Sequence, residues 1–250
     1  MQCTLPIRYL RQRQHQRGVA LFVVIVLVML SMLLALWASR TSLFNELVVG
    51  NDADYQRAFE AAQALLQDAE LDIRSEKADG TRCAGSGDIC RTSTAEKIPL
   101  EAQDVMPLLV ALGSQTSECR NGLCAKRTGK QDFWNNTDTS KGPTLAQMTA
   151  ATVGARYGQF TGAATGTADA PANPILAASA ANQGGWYWIE VLPYDESSKN
   201  SGLIVGGTNN LLGLDLTPNV VYRITALTYG HKPSTMVVLQ QTYAQQKIRN

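Results

Sequence analysis

The 250-residue sequence predicts an α+β protein: a long N-terminal helix, transmembrane and then amphipathic, packed on a C-terminal antiparallel sheet. Three observations predict it. An uncharged apolar run fills positions 19–38. Apolar residues then recur at helical spacing as far as Ile73, with no proline between Pro6 and Pro99. Three β-rich runs follow between Trp186 and Tyr243.

The run Val19–Ala38 reads VALFVVIVLVMLSMLLALWA and carries no charge, glycine or proline. At about 1.5 Å of rise per residue it spans roughly 30 Å, the thickness of a bilayer core. Ser31 is its one clearly polar residue, and its hydroxyl can bond the carbonyl a turn back. Trp37 stands at the far end, where an amphipathic ring favours the membrane–water interface. Arg8, Arg11, Arg13 and Arg17 precede the run with no acidic residue among them. By the positive-inside rule they hold the N-terminus in the cytoplasm and place the body from residue 41 onward outside. Removing residues 1–18 takes four arginines and no acidic residue, which turns the formal charge from +1 to about −3.

Three readings of this segment compete. A cleaved secretory signal has an apolar core of about 7–15 residues and an A-x-A-like site, whereas this core is longer and Leu36-Trp37-Ala38 is bulky. A plain single-span anchor needs only the length. The third is a prepilin signal. Prepilins are cut after a glycine on the cytoplasmic side of the apolar stretch and keep the stretch; Gln16-Arg17-Gly18-Val19-Ala20-Leu21 looks like this arrangement.

From Thr41 to about Ser75 good helix formers dominate. Leu43, Leu47, Ala58, Ala61, Ala62, Leu65, Leu66, Ala69 and Ile73 form an apolar face. Asp54, Arg57, Glu60, Gln63, Gln67, Asp68, Glu70 and Arg74 are assigned to the other face, with Glu70 and Arg74 a favourable i,i+4 pair. One helix from Val19 to about Ser75 would be on the order of 85 Å long. Gly50-Asn51-Asp52 is its weak point, where a kink or brief loosening is expected. The competing reading is two helices joined by a short turn, with Asn51 or Asp52 as N-cap. The expected divisions are a leader at 1–18, a transmembrane half-helix at 19–38, an amphipathic half at 39–76 and a head at 77–250.

These features together resemble type IV pilins and pseudopilins, and within them the PilX type of minor pilin. The resemblance is carried by Arg17-Gly18-Val19-Ala20-Leu21, by Gly50-Asn51, and by Ala58-Phe59-Glu60-Ala61-Ala62-Gln63-Ala64-Leu65-Leu66 with Ala69-Glu70. Near the C-terminus, Arg223-Ile224-Thr225-Ala226 and Val237-Val238-Leu239-Gln240-Gln241-Thr242-Tyr243 continue it. It covers the first third and roughly the last tenth of the chain. The resemblance implies a pilin-like α+β fold and processing between Gly18 and Val19 by a prepilin peptidase. It also implies insertion in the inner membrane and contacts with other minor pilins and the major pilin through the N-terminal helix. One departure stands out: most pilins carry a glutamate five residues into the mature chain, and here that position is Val23. In the family that glutamate neutralises the N-terminal amine of a neighbouring subunit. A neutral Val23 points to a low-copy priming or tip-proximal subunit, a lack shared with K-type pseudopilins.

Of the five cysteines, Cys3 lies in the leader, leaving Cys83, Cys90, Cys119 and Cys124. Their spacings suggest two local loops, 83–90 and 119–124, and export favours disulfides. A zinc site with four cysteine ligands is the competing reading, although neither pair has the tight C-x2-C spacing.

Farther along, 76–100 is polar and loop-like, Glu101–Leu112 suits a short helix with Pro107 near its start or at a kink, and 113–143 is irregular. Gly154–Gly185 reads as a long loop, part of it ordered only against partners. Trp186–Leu192, Val220–Tyr229 and Thr235–Tyr243 are strands, the last two joined by a hairpin loop at 230–234. The amphipathic helix at 53–75 would cover their single apolar face. Trp186, Tyr187 and Trp188 are read as core aromatics, with an exposed adhesive patch as the alternative.

Motifs for chemistry are lacking. His15 and His231 are the only histidines, and no H-E-x-x-H, G-x-x-x-x-G-K-[ST] or G-x-S-x-G occurs. Asp195, Glu196 and Asn200 lack EF-hand spacing. No cofactor or metal is expected, the protein is expected not to be an enzyme, and the near-neutral charge argues against nucleic acid as a partner. Three functions are weighed: a minor pilin, a K-like pseudopilin of type II secretion (for which this chain is short), and an anchored binding protein without a pilus.

Overall fold

The computed structural model describes residues 17–85, 89–91, 96–99, 101–166, 172–180, 182–193 and 219–245. Cys3, His15, the leader arginines before Arg17, and Asp195, Glu196 and Asn200 lie outside them. The chain divides into two compact units, one ending at Asp52 and the other beginning at Ala53.

The described residues of the first unit are helical. Helix α1 runs Arg17–Arg74, so its first part belongs to this unit and its remainder to the second. The helix continues without interruption through Gly50-Asn51-Asp52, and the alternative of two helices falls. Every residue from Val19 to Val49 is exposed. Ser31 and Thr41 return their hydroxyls to the carbonyls of Leu27 and Trp37, at 2.7 and 2.9 Å. That satisfies both hydroxyls within the helix, and for Ser31, inside the apolar run, it is what a lipid environment would require. Among the described residues this is the one helix long and apolar enough to cross a membrane.

The helix stops where Ser75 takes a left-handed conformation, φ 53. Glu76 N–H then bonds Leu71 O at 2.9 Å, a Schellman-type closure in which a serine occupies the site that glycine usually fills.

The second unit is built on a five-stranded sheet in the order β1-β2-β3-β4-β5. Its strands are β1 (Cys119–Arg120), β2 (Leu123–Cys124), β3 (Gly185–Pro193), β4 (Val220–Tyr229) and β5 (Met236–Tyr243). β3, β4 and β5 are antiparallel, as expected from their alternating sequences. The short pair β1–β2 adds to them, with β2 parallel to β3. This pair was missed in the sequence although a signal exists. Asn121-Gly122 lies between two residues on either side, and both take positive φ (46 and 81), the signature of a two-residue hairpin turn.

One face of the sheet packs on α1. Ala58, Ala61, Ala62, Leu65, Ala69 and Ile73 meet Tyr187, Ile189 and Val191 of β3 and Tyr222, Ile224 and Ala226 of β4. The alanines let the helix backbone lie close. Thr228 donates its hydroxyl to Ala58 O at 2.7 Å, and a Cβ on Gly185 would sit 2.6 Å from Leu65 Cδ1. Helix α2 (Ala102–Gly113) adds Val105, Leu108 and Leu112 to this core. Pro107 sits inside α2 and not near its start, the first of the two placements expected for it.

The opposite face is also covered, contrary to the single apolar face read from the sequence. Trp186, Trp188 and Leu227 form a second core with Phe133, Met148, Cys119 and Cys124. Phe133 comes from a 3₁₀ turn (Phe133–Asn135), and Met148 from the short helix α3 (Leu145–Met148). The adhesive-patch alternative is therefore overturned: Trp186, Tyr187 and Trp188 are at most 5% exposed. A final short helix, α4 (Pro174–Ala177), starts with Asn173 as N-cap, so the span 154–185 is not one structureless loop.

Candidate assembly site

The functional elements of this molecule are the exposed apolar half of α1 and the buried polar contacts that hold the head on the other half. Gly18 and Val19 lie in the first turn of α1, and Val23 follows one turn later, 53% exposed and uncharged. Cys83, Cys90, Cys119 and Cys124 lie in the second unit.

There the pairing suggested by spacing is present: Cys83–Cys90 and Cys119–Cys124 are disulfides. All four thiols are consumed, which overturns the zinc alternative. Among the described residues no group of three or more His, Cys, Asp or Glu side chains is placed to hold a metal ion. Each disulfide positions something. Cys119–Cys124 clamps the β1–β2 hairpin, and Cys83–Cys90 presents the next residue, Arg91, to the helix.

Three aspartates of α1 receive the head. Asp54 accepts the backbone N–H groups of His231 and Lys232 at 2.8 and 3.1 Å, fixing the β4–β5 loop. Burial opposes its charge, but hydrogen bonds from Thr235, His231 and Lys232 outweigh that and hold the carboxyl below its usual range. Asp68 accepts Gly158 N–H at 2.8 Å and the Thr161 hydroxyl. Asp72 pairs with Arg91, Nη2–Oδ2 2.7 Å, and accepts the Tyr187 hydroxyl at 2.9 Å. Arg91 also donates to Asn121 O at 2.8 Å, and its guanidinium lies 3.6 Å from the Phe160 ring centre. Burial works against the Arg91 charge, yet Asp72 more than offsets it and raises the group's proton affinity. The Tyr187 phenol, desolvated and beside Asp72, is pushed well up and stays a neutral donor.

On the far face Glu190 accepts Arg127 N–H at 2.9 Å and pairs with Arg127 and Arg223, at 3.2 and 2.6 Å. Burial lowers the Arg127 value, and Glu190 compensates only in part.

Two assignments read from the sequence need correction. Asp54 and Asp68 are not on the solvated face of α1; both are 2% exposed. The signal was available. Asp54, Ala58, Ala61, Leu65, Asp68 and Asp72 are spaced by fours and threes, in phase with the apolar stripe. Glu70 and Arg74 do not pair with each other either. Arg74 bonds Glu76 at 2.9 Å, and Glu70 accepts from Gln241 on β5.

Asp68 yields a pH-dependent prediction. Burial, partly opposed by its hydrogen bonds, pushes its carboxyl up from 3.8 to about 6. The folded chain thus takes up this proton before the unfolded chain does. Stability from this group rises as pH falls from about 6 towards 4, by up to about 3 kcal/mol, and is absent above pH 7. In Asp68→Asn the amide oxygen still accepts from Gly158, and the Thr161 hydroxyl turns to accept. Urea unfolding of the two proteins at pH 7 and pH 5 should show about half of this gain, and in the wild type alone. Equal gains in both would refute the assignment.

A long N-terminal helix, apolar and exposed in its first half and buried against an antiparallel sheet in its second, with a disulfide-clamped head, defines a pilin-like subunit. Family comparison gives the particular kind. Residues 17–67 match the PilX N-terminal model, and residues 120–245 match the model of the C-terminal part of the type IV pilus assembly protein PilX. The chain belongs to the PilX family of minor pilins of type IV pilus assembly. No curated protein and no solved structure matches it. The family is a structural one whose members work with other pilus components.

Proposed function

We propose that this chain is a low-copy subunit that primes pilus assembly or sits near the filament tip, acting structurally and without a catalytic step. The observation that carries the reading is Val23. It stands on the exposed surface of α1, five residues into the chain if cleavage follows Gly18, where filament-body pilins place a glutamate opposite a neighbour's amine. A subunit at the tip has no subunit above it whose amine needs pairing, so a neutral residue there costs nothing. The family match over 120–245 favours the pilus over the type II secretion alternative.

In this reading a prepilin peptidase cuts between Gly18 and Val19 on the cytoplasmic side. Val19–Ala38 then holds the chain in the inner membrane with its head outside the cytoplasm. On extraction, the same apolar surface is buried against the half-helices of other pilins, worth about 25 cal/mol per Å² once water is the alternative. The test is mass spectrometry of the mature N-terminus with and without the peptidase, combined with the chain's copy number in purified filaments. A peptidase-dependent terminus at Val19 and a few copies per filament are expected. An intact Met1, a cut near Ala38, or stoichiometric copies along the filament would sink the reading.

A further inference from the structure

The free edge of the sheet carries a second assembly surface. The hydrogen-bond phase of β4 fixes which groups it presents. Tyr229 N–H bonds Gly184 O, so the odd residues of β4 bond β3. Gly230 N–H bonds Thr235 O, so the even residues of β4 bond β5, where their partners are Val237, Leu239, Gln241 and Tyr243. Met236, Val238, Gln240 and Thr242 must therefore turn their N–H and C=O groups outward. Strand β5 ends the sheet order, and among the described residues no strand pairs with its outer side.

Edges of this length are normally guarded by lysine, proline or a bulge. β5 reads MVVLQQTY, with no charge and no proline, and its register with β4 is unbroken. Its side chains leave both cores unfinished. Leu239 and Tyr243 are only partly buried against the α1 side, and Met236 and Val238 only partly against the far side. A strand laid along β5 would satisfy four outward backbone pairs and complete both cores at once.

A second copy of this chain fits poorly. Antiparallel self-pairing over the whole strand sets Val238 opposite Gln240 and Met236 opposite Thr242, apolar against polar. Registers that place Val238 opposite itself lose the end of the strand. We propose that β5 is an augmentation edge for an extended, uncharged strand of a different pilus subunit, apolar opposite Met236 and Val238 and polar opposite Gln240 and Thr242.

This inference rests on the proposed pilus role, and the experiment separates the two. The full-length chain is expressed in a strain deleted for it, as wild type, Gln240→Ala and Gln240→Pro. Of the backbone hydrogen-bonding groups proline removes only an outward N–H, which the β4–β5 ladder does not use. Alanine removes the same side chain, with its 3.0 Å bond to Thr225, and keeps the N–H. Surface pili should fall at least tenfold with Gln240→Pro at unchanged membrane levels of the chain, and remain near wild type with Gln240→Ala. If Gln240→Pro does not accumulate, Thr242→Lys, an exposed guard charge, should give the same loss. Hydrogen exchange on the purified full chain in detergent should show Val238, Gln240 and Thr242 amides fast and their odd-numbered neighbours protected. Wild-type piliation with Gln240→Pro, an equal loss with Gln240→Ala, or protected even-numbered amides in the isolated chain would each overturn the augmentation edge. Full piliation of the deletion strain would instead refute the pilus role itself.

Discussion

Replacing Asp72 with alanine is expected to destabilise the head by about 3–5 kcal/mol, the cost of leaving one partner of a buried ion pair behind. The Asp72 and Arg91 side chains are each 3% exposed. Arg91 cannot shed its proton at any working pH, and among the described residues its Nη1 already lacks a hydrogen-bond partner. In Asp72→Ala the guanidinium would keep Asn121 O and the Phe160 face, which do not neutralise a buried charge. The Tyr187 hydroxyl would lose its acceptor as well. The double variant Asp72→Ala/Arg91→Met removes both charges and should recover most of the loss, because the pair's attraction largely repays its own desolvation. Urea unfolding of the full chain in detergent, followed by tryptophan fluorescence, measures both. A loss below 1 kcal/mol in the single variant, or a double variant no better than the single, would show that the pair is not held in a dry site.

The second large effect is expected at Trp188. Its ring is 1% exposed, packs edge-on against Phe133 with centroids 4.8 Å apart, and donates Nε1–H to Met148 O at 3.2 Å. Trp188→Ala should cost about 3–5 kcal/mol through the cavity left behind. Trp188→Phe keeps most of the volume and loses the hydrogen bond, for about 1–2 kcal/mol. The two substitutions together distinguish a core role from a surface one. If Trp188 served ligand binding, alanine would leave the unfolding midpoint unchanged. The expected drop instead shows that the segment carrying Phe133 and Met148 closes the second face of the sheet.

Much of the fold was legible because its signals are local. The apolar run, the helical stripe and the alternating strands each depend on periodicity within a few turns or residues. The two disulfides were legible because their partners are near in sequence, at separations of 7 and 5. The hairpin at Asn121-Gly122 is equally local, its signal being the Asn-Gly pair itself. The far layer was not legible. Nothing in the spacing of Phe133, Leu145 and Met148 says that they meet Trp188, since such contacts depend on how an irregular segment folds back.

Local patterning carries the membrane-length apolar helix, its amphipathic continuation and the antiparallel strands β3–β5, and short cysteine spacing suggests the two disulfide loops. Backbone periodicity and short loop closure are controlled by neighbouring residues. Long-range packing sets the cover on both faces of the sheet and turns Asp54, Asp68 and Asp72 inward. It also decided that Arg91 and Arg127 are buried with carboxylates, and that β5 is left as an edge. A charged residue on a helix reads as solvated until a partner distant in the chain arrives to desolvate it. Asp68 and Gly158 lie 90 residues apart, and Asp72 and Tyr187 lie 115 apart.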